Sequence, residues 1–308
     1  MPINPHAPDT AHTFNFDLDT ILVITRPLGI PWHCVKDKGQ DFSTTFGYSS
    51  FLCNLCSCTI MLPEKKHSKA VAKLTVFMAT ASSPILYPAC ESLHGTLQHI
   101  TFMYRDGRLY LPHLSTFLSK FPNNFTQHHI PLSILNDLHW WSAVLTGPLA
   151  TCSLVPHQKL NPDVWADALT SWGIGLIVGD CWAAWWLQEG WKTGQRDIGW
   201  AESVALELAI VWAVHARFCD ATLTVRDDNT GIIGAYAKGH SHNAPHNDTL
   251  HRIAASLFPF NLNIVPLYVT SSANWADPTS QSILGHSCLH LPISFKLPPE
   301  LQPILTHV

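Results

Sequence analysis

Four carboxylates in the second half of the chain are the side chains best suited to chemistry: Asp167, Glu207, Asp228 and Asp277. Glu207 sits among Leu206, Leu208 and Ala209 in the stretch AESVALELAIVW, and a carboxylate in such apolar company needs a partner. Four carboxylates brought together repel one another unless cations lie between them. Magnesium favours oxygen ligands and keeps several of its waters. Two such ions about 4 Å apart can activate a water and stabilise the leaving oxygen of a phosphodiester. Each acid also has a plain structural reading. A strand-end Asp is commonly a turn former, and Asp228-Asn229 or Asp277 can cap the turn that follows. Singly, each acid fits the structural reading; as a set, in their order along the chain, they favour a metal site.

The elements around them must bring them together. A strand over 164–168 carries Asp167 next to its last residue, and GIGLIV over 173–178 alternates as a second strand. Gly179-Asp180 is a tight-turn pair leading into CWAAWWL, so these two runs predict a hairpin. A helix over 201–216 places Val204, Leu208, Val211 and Trp212 on one side and Glu207 near its middle. ATLTVR is a strand running into Asp227-Asp228-Asn229. Helices over 231–238, closed by Gly239, and over 248–257 precede a strand over 262–269 and the acidic turn NWADPTS. The order β-β-β-α-β-α-α-β-α predicts an α/β fold with a mixed sheet flanked by helices.

The first half reads differently. Residues 1–16 are polar and Pro-rich and are expected to be disordered, and 17–25 form a short helix. Two strands, FSTTFGYSSF and CTIML, meet at a turn near Asn54. Pro63-Glu64 then starts a helix in which Lys65, Lys66, Lys69 and Lys73 lie opposite Val71, Leu74 and Phe77. That lysine face is either simply solvated or tracks a nucleic-acid backbone. Helices over 91–104 and 111–120 flank an RDGR turn, and a further helix covers 132–146, with Trp140 or Trp141 in the core and the other at a domain contact. Residues 148–162 read as a linker.

Charge gives no global pull toward nucleic acid: the net charge is −4. Residues 1–150 carry 10 Lys+Arg against 9 Asp+Glu, and residues 151–308 carry 8 against 13, so binding to a polyanion must come from local patches or bound metal. Nine scattered cysteines predict reduced thiols in an intracellular protein. The first residues lack the basic start and apolar core of a signal peptide, and no run of 18 apolar residues predicts a membrane span. Cys53-x-x-Cys56 with Cys58, and His33-Cys34 upstream, has half the spacing of a zinc site but lacks a clean second pair. The histidine clusters 128–129 and 240–242 read as loop residues, and no phosphate loop or nucleophile elbow is present.

Residues 162–280 resemble the ribonuclease H domain of retroelement polyproteins, especially the tyrosine-recombinase (DIRS-like) group found in fungi. The resemblance is carried by Asp167-Ala168 followed by GIG, Glu207 in ALELA, Asp228-Asn229-Thr230, and Asn274-Trp275-Ala276-Asp277. It implies a ribonuclease H-like mixed sheet. It also implies that Asp167, Glu207, Asp228 and Asp277 bind two Mg2+ ions, with Mn2+ as a substitute, and cut the RNA strand of an RNA–DNA hybrid. RPLGIPWHCVKDKGQDFSTTFGYSSF, LPEKK and ESLHGTLQHITFMYRDGR resemble the palm edge, thumb and connection of the reverse transcriptase in the same polyproteins. The expected organisation is therefore 17–150 as a mostly helical thumb/connection-like segment, 160–280 as the ribonuclease H-like domain, and 281–308 as a Pro-rich tail. The expected partners are the hybrid and the rest of a polyprotein, with no small-molecule cofactor and no membrane.

The chain departs from the family pattern at several points. The polymerase's Tyr-x-Asp-Asp motif, expected upstream of residue 16, is absent, so no polymerase activity is expected. The Gly of the family's Y-L-G-F strand is Ser50, the Arg after the last Asp motif is Gln281, and no His occurs over 267–271. A catalytically decayed remnant that binds nucleic acid weakly is the alternative reading. An integrase-like nuclease fits less well, because its Glu comes last in chain order. Candidate substrate contacts are Asn229 and Thr230, for a 2′-OH or phosphate, and the 171–173 turn beginning at Ser171, with Lys192, Arg196 and Lys238 for phosphates. Helix capping accounts equally well for Asn229.

Overall fold

The computed structural model describes residues 18–29, 43–147, 149–241 and 243–308. The expected disorder of 1–16, and His33 and Cys34, lie outside the described residues. The chain divides into two compact units, 1–156 and 157–308.

In the first unit, α1 (Leu18–Thr25) is followed by strands β1 (Thr45–Tyr48), β2 (Phe51–Asn54) and β3 (Thr59–Met61). FSTTFGYSSF is thus not one strand. Ser49 and Ser50 both take positive φ, 46° and 71°, and form a two-residue turn that pairs Tyr48 with Phe51. Helix α2 (Glu64–Ala79) starts after Pro63 and buries Ala70, Leu74 and Phe77. Strand β4 (Ile85–Leu86), helices α3 (Tyr87–Ile100) and α4 (Pro112–Leu118), strand β5 (Gln127–His128), helix α5 (Leu132–Thr146) and strand β6 (Thr151–Ser153) complete the unit. β6 lies beside β3 in a four-stranded antiparallel sheet, β1-β2-β3-β6, so the expected linker is partly sheet.

The RDGR stretch is not a bare turn but a 3-10 helix, Arg105–Tyr110. A Cβ on Gly107 would lie 2.2 Å from Cη2 of the buried Trp141, so glycine is what admits the indole. Trp140 stacks on Tyr110 at 4.0 Å, a contact inside its own unit. On the lysine face, Lys73 Nζ donates to Thr96 Oγ1 (2.7 Å) and Ser92 Oγ (2.9 Å) of α3, so one of the four lysines is a helix tie.

The second unit contains β7 (Gln158–Ala168), β8 (Gly173–Val178), β9 (Cys181–Leu187), α6 (Ile198–His215), β10 (Ala221–Asp227), α7 (Thr230–Lys238), α8 (Ala244–Leu257), β11 (Asn263–Tyr268), α9 (Asp277–Ser280) and β12 (Leu305–His307). Its six-stranded mixed sheet has the order β11-β10-β7-β8-β9-β12. β7, β8 and β9 are an antiparallel meander, while β10 and β11 run parallel to β7. The expected element order is present, with one more strand at its end. The 281–308 segment is not a free tail: Leu301, Ile304 and Leu305 are buried in the core and β12 pairs with β9. Pro266 sits in the edge strand β11, where a missing N–H is tolerated.

Helix α6 is apolar nearly all round, as a helix buried on most sides must be. Its length and composition would let it cross a membrane, but here it packs against β7, β8 and α8, with Val204, Leu208 and Ile210 fully buried. Because β7 and β10 are parallel neighbours, their C-terminal ends, Asp167 and Asp227-Asp228, lie at the same end of the sheet.

Candidate metal centre

Asp197 caps α6 by accepting from Trp200 N (2.9 Å), which starts the helix three residues before the expected Ala201. That start puts Glu202 in the second turn, next to the strand ends. One carboxylate oxygen each from Asp167, Glu202 and Asp228 lies within 4.8 Å of the others, and this group can hold a metal ion. Among the described residues it is the only cluster of three or more His, Cys, Asp or Glu with that property, so Cys53, Cys56 and Cys58 form no comparable site.

The cluster is buried and short of donors. Asp167 and Glu202 are 4% and 6% exposed, and Asp227 is fully buried behind them. Asn274 Nδ2 donates to Asp167 Oδ1 and Asp228 Oδ1, both at 3.3 Å, and to Ala166 O at 3.2 Å. Ser280 Oγ donates to Asp167 Oδ2, and Asn229 N donates to Asp227 Oδ1 at 2.7 Å. Glu202 Oε2 and Asp227 Oδ2 have no hydrogen-bond partner. A buried anionic oxygen with no donor is costly unless a cation neutralises it.

The titration of the acids reflects this crowding. Burial pushes Asp167 up to about 7, against the pull of the Ser280 hydroxyl and with the help of Asp228 and Asp277. Burial pushes Glu202 up to about 9, and Asp227, Asp167 and Asp228 add to the rise. Asp227 is raised to about 7, again mainly by burial. A set of oxygen donors that resists ionising together suits a hard divalent cation.

Glycine at 175 makes the contacts to Asp167 possible. Gly175 lies opposite Asp167 on β8, and a Cβ there would come within 2.7 Å of Ala276 O and Ser280 N. The close approach seats α9 on the sheet, which brings Asn274 and Ser280 onto Asp167.

The structure corrects one member of the expected set. Glu207 is 1% exposed and lies five residues along α6 from Glu202, about 140° around the helix. Both its oxygens are taken by Arg252, Nε to Oε1 and Nη2 to Oε2, each at 2.7 Å. Burial raises its carboxyl even so. Glu207 is therefore half of a buried bidentate ion pair between α6 and α8, not a member of the acidic cluster, and Glu202 stands in its place. The available signal was Asp197, a good cap that fixes the helix start.

Asp277 opens α9, beside the cluster but outside the group of three, and its charge still raises Asp167. Asn229 is a helix cap, its side chain accepting from Gly231 N and Ile232 N. Thr230 and Ser171 are exposed, in the segments that follow β10 and β7. Lys192 lies 5.5 Å from the Trp191 ring and Arg196 5.1 Å from the Trp200 ring, so indoles rather than carboxylates engage both cations. Lys238 is exposed in the last turn of α7. Neither a protein-family model nor a curated protein sequence matches this chain.

Proposed function

We propose that residues 157–308 form a ribonuclease H-like domain that hydrolyses the RNA strand of RNA–DNA hybrids with two Mg2+ ions. The observation that carries this reading is the cluster of Asp167, Glu202 and Asp228, with Glu202 Oε2 buried and unpartnered. The strand order supports it too: an antiparallel meander on one side of β7, parallel strands on the other, and carboxylates at the strand ends. Asp167, Glu202 and Asp228 would hold the metal, with Asp277 at the margin. The metal supplies charge neutralisation at a phosphodiester and a water acidic enough to attack at neutral pH. Asn274 and Ser280 hold the Asp167 carboxylate in one orientation, and Asn274 holds Asp228 as well. The backbone after β10, capped by Asn229, and the Ser171 turn flank the cluster and would meet the substrate strand. In this reading the first unit derives from the thumb and connection of a retroelement reverse transcriptase and works within a polyprotein.

The test is Mg2+-dependent cleavage of an end-labelled hybrid by the full chain beside Asp167→Asn. The expected result is cutting by the native chain alone, lost on removing Mg2+. Equal background cutting by both overturns the nuclease reading and leaves a decayed remnant, which the low count of Lys and Arg and the replacement of the family's Gly and Arg by Ser50 and Gln281 favour.

A further inference from the structure

The motif that brings Asn274 to the acids carries an aromatic ring that the chemistry above does not use. Trp275 is 58% exposed, yet it is not a loose side chain. Its ring stacks on Trp165 with centroids 5.1 Å apart and planes 7° from parallel. Trp165 is 8% exposed and lies two residues before Asp167 on β7, so the two share a face of the sheet. The Arg226 guanidinium lies 4.6 Å from the Trp165 ring centroid, and Asp163 Oδ1 accepts from both Arg226 Nη1 (2.8 Å) and Trp165 Nε1 (3.2 Å). Trp275 is thus the outermost layer of a stack fixed from beneath, next to the residue that bonds both Asp167 and Asp228.

We propose that Trp275 is a stacking platform for an unpaired base of the nucleic-acid strand that lies across the acidic cluster. The inference rests on the nucleic-acid reading of that cluster and adds a substrate preference. A base paired within a duplex has both faces covered by its neighbours, whereas an unstacked base offers an open face to an aromatic side chain. Stacking on an indole is tolerant of base identity, because every base has a π-face. A ring already held by Trp165 loses little freedom when a base settles on it. The site therefore favours a hybrid with an unpaired nucleotide, as at an end or junction, over an uninterrupted duplex.

The experiment measures binding of the full chain to a fluorescent RNA–DNA hybrid, blunt or with a single-stranded extension, with Ca2+ as the divalent cation. The native chain is expected to bind the extended hybrid more tightly. Trp275→Ala is expected to weaken that binding about tenfold or more, the size of one lost base stack, with little change for the blunt hybrid. Trp275→Phe keeps an aromatic face and should retain most of the preference, and circular dichroism of both variants reads folding independently. A native chain without preference, or a Trp275→Ala chain that keeps it, overturns the proposal. Blunt-hybrid cleavage in Mg2+ separates the two ideas. Cutting without a binding preference sinks the platform alone, and a preference without cutting sinks the nuclease alone.

Discussion

Removing the charge of Asp167 should stabilise the metal-free protein at alkaline pH, against the usual cost of changing a buried residue. Asp167 has a folded-state value of about 7, against 3.8 for the free carboxyl. The folded protein therefore binds this proton more tightly than the unfolded chain does. Its contribution to stability is complete below about pH 4 and is lost as pH rises toward 7. Between pH 5 and pH 7 the loss spans two pH units, or about 3 kcal/mol at 1.36 kcal/mol per unit. Asp167→Asn is neutral at every pH and escapes that loss. In EDTA, its stability relative to the native chain should be about 3 kcal/mol better at pH 8 than at pH 5, which corresponds to a gap in Tm of roughly 5–10 °C. Tryptophan fluorescence is the fitting probe, because nine of the twelve tryptophans lie in 157–308. Adding Mg2+ or Mn2+ at pH 8 should raise the Tm of the native chain and leave Asp167→Asn nearly unmoved, since bound cation replaces the missing protons. If the Tm difference between the two chains is the same at pH 5 and pH 8, Asp167 is not held protonated by its surroundings and the argument for the cluster fails.

The two glutamates of α6 should separate cleanly. Glu202→Gln is expected to abolish metal-dependent stabilisation and hybrid cleavage while raising metal-free stability at pH 8. Arg252→Met, which strands Glu207 as an uncompensated buried charge, should cost about 3–5 kcal/mol in a denaturant melt. The opposite pattern would restore Glu207 to the site. Gly175→Ala should displace α9 and, by loosening Ser280 and Asn274 on Asp167, weaken the Mg2+-induced rise in Tm at pH 8; an unchanged rise would show that α9 does not position that carboxylate. Ser50→Gly should stabilise the first unit by up to about 1 kcal/mol, because Ser50 holds φ at 71°, where glycine has no steric strain and gives back only part of that gain in backbone entropy. A chemical melt that shows no gain would mean the turn is not left-handed.

Much of the second unit was legible in local pattern. The alternation of GIGLIV and CWAAWWL about Gly179-Asp180 marks the β8–β9 hairpin, whose turn needs only the positive φ of Gly179. Asp167 and Asp228 could be picked out because each follows a strand-forming run, and a strand's end is set by its own residues. In the first unit, the 132–146 helix agrees residue for residue with α5. The Ser49-Ser50 turn is not legible in the sequence, because serine, though common in turns, seldom takes the left-handed backbone that both residues adopt here.

What the sequence alone determined is the order of elements from β7 to α9 and two of the three clustered carboxylates, because helix and strand periods and turn chemistry act over a few residues. Three things were decided only by tertiary structure. Glu202 rather than Glu207 joins the acids, because Arg252, 45 residues away along the chain, claims Glu207 from another helix. The 281–308 segment completes the sheet, because β9 offers it an open edge. The raised proton affinity of Asp167 and Glu202 arises mainly from burial in the folded chain, and the neighbouring carboxylates add to it. Each depends on which distant residues the fold makes neighbours, and charge and burial act through space, where residue types along the chain record only sequence proximity.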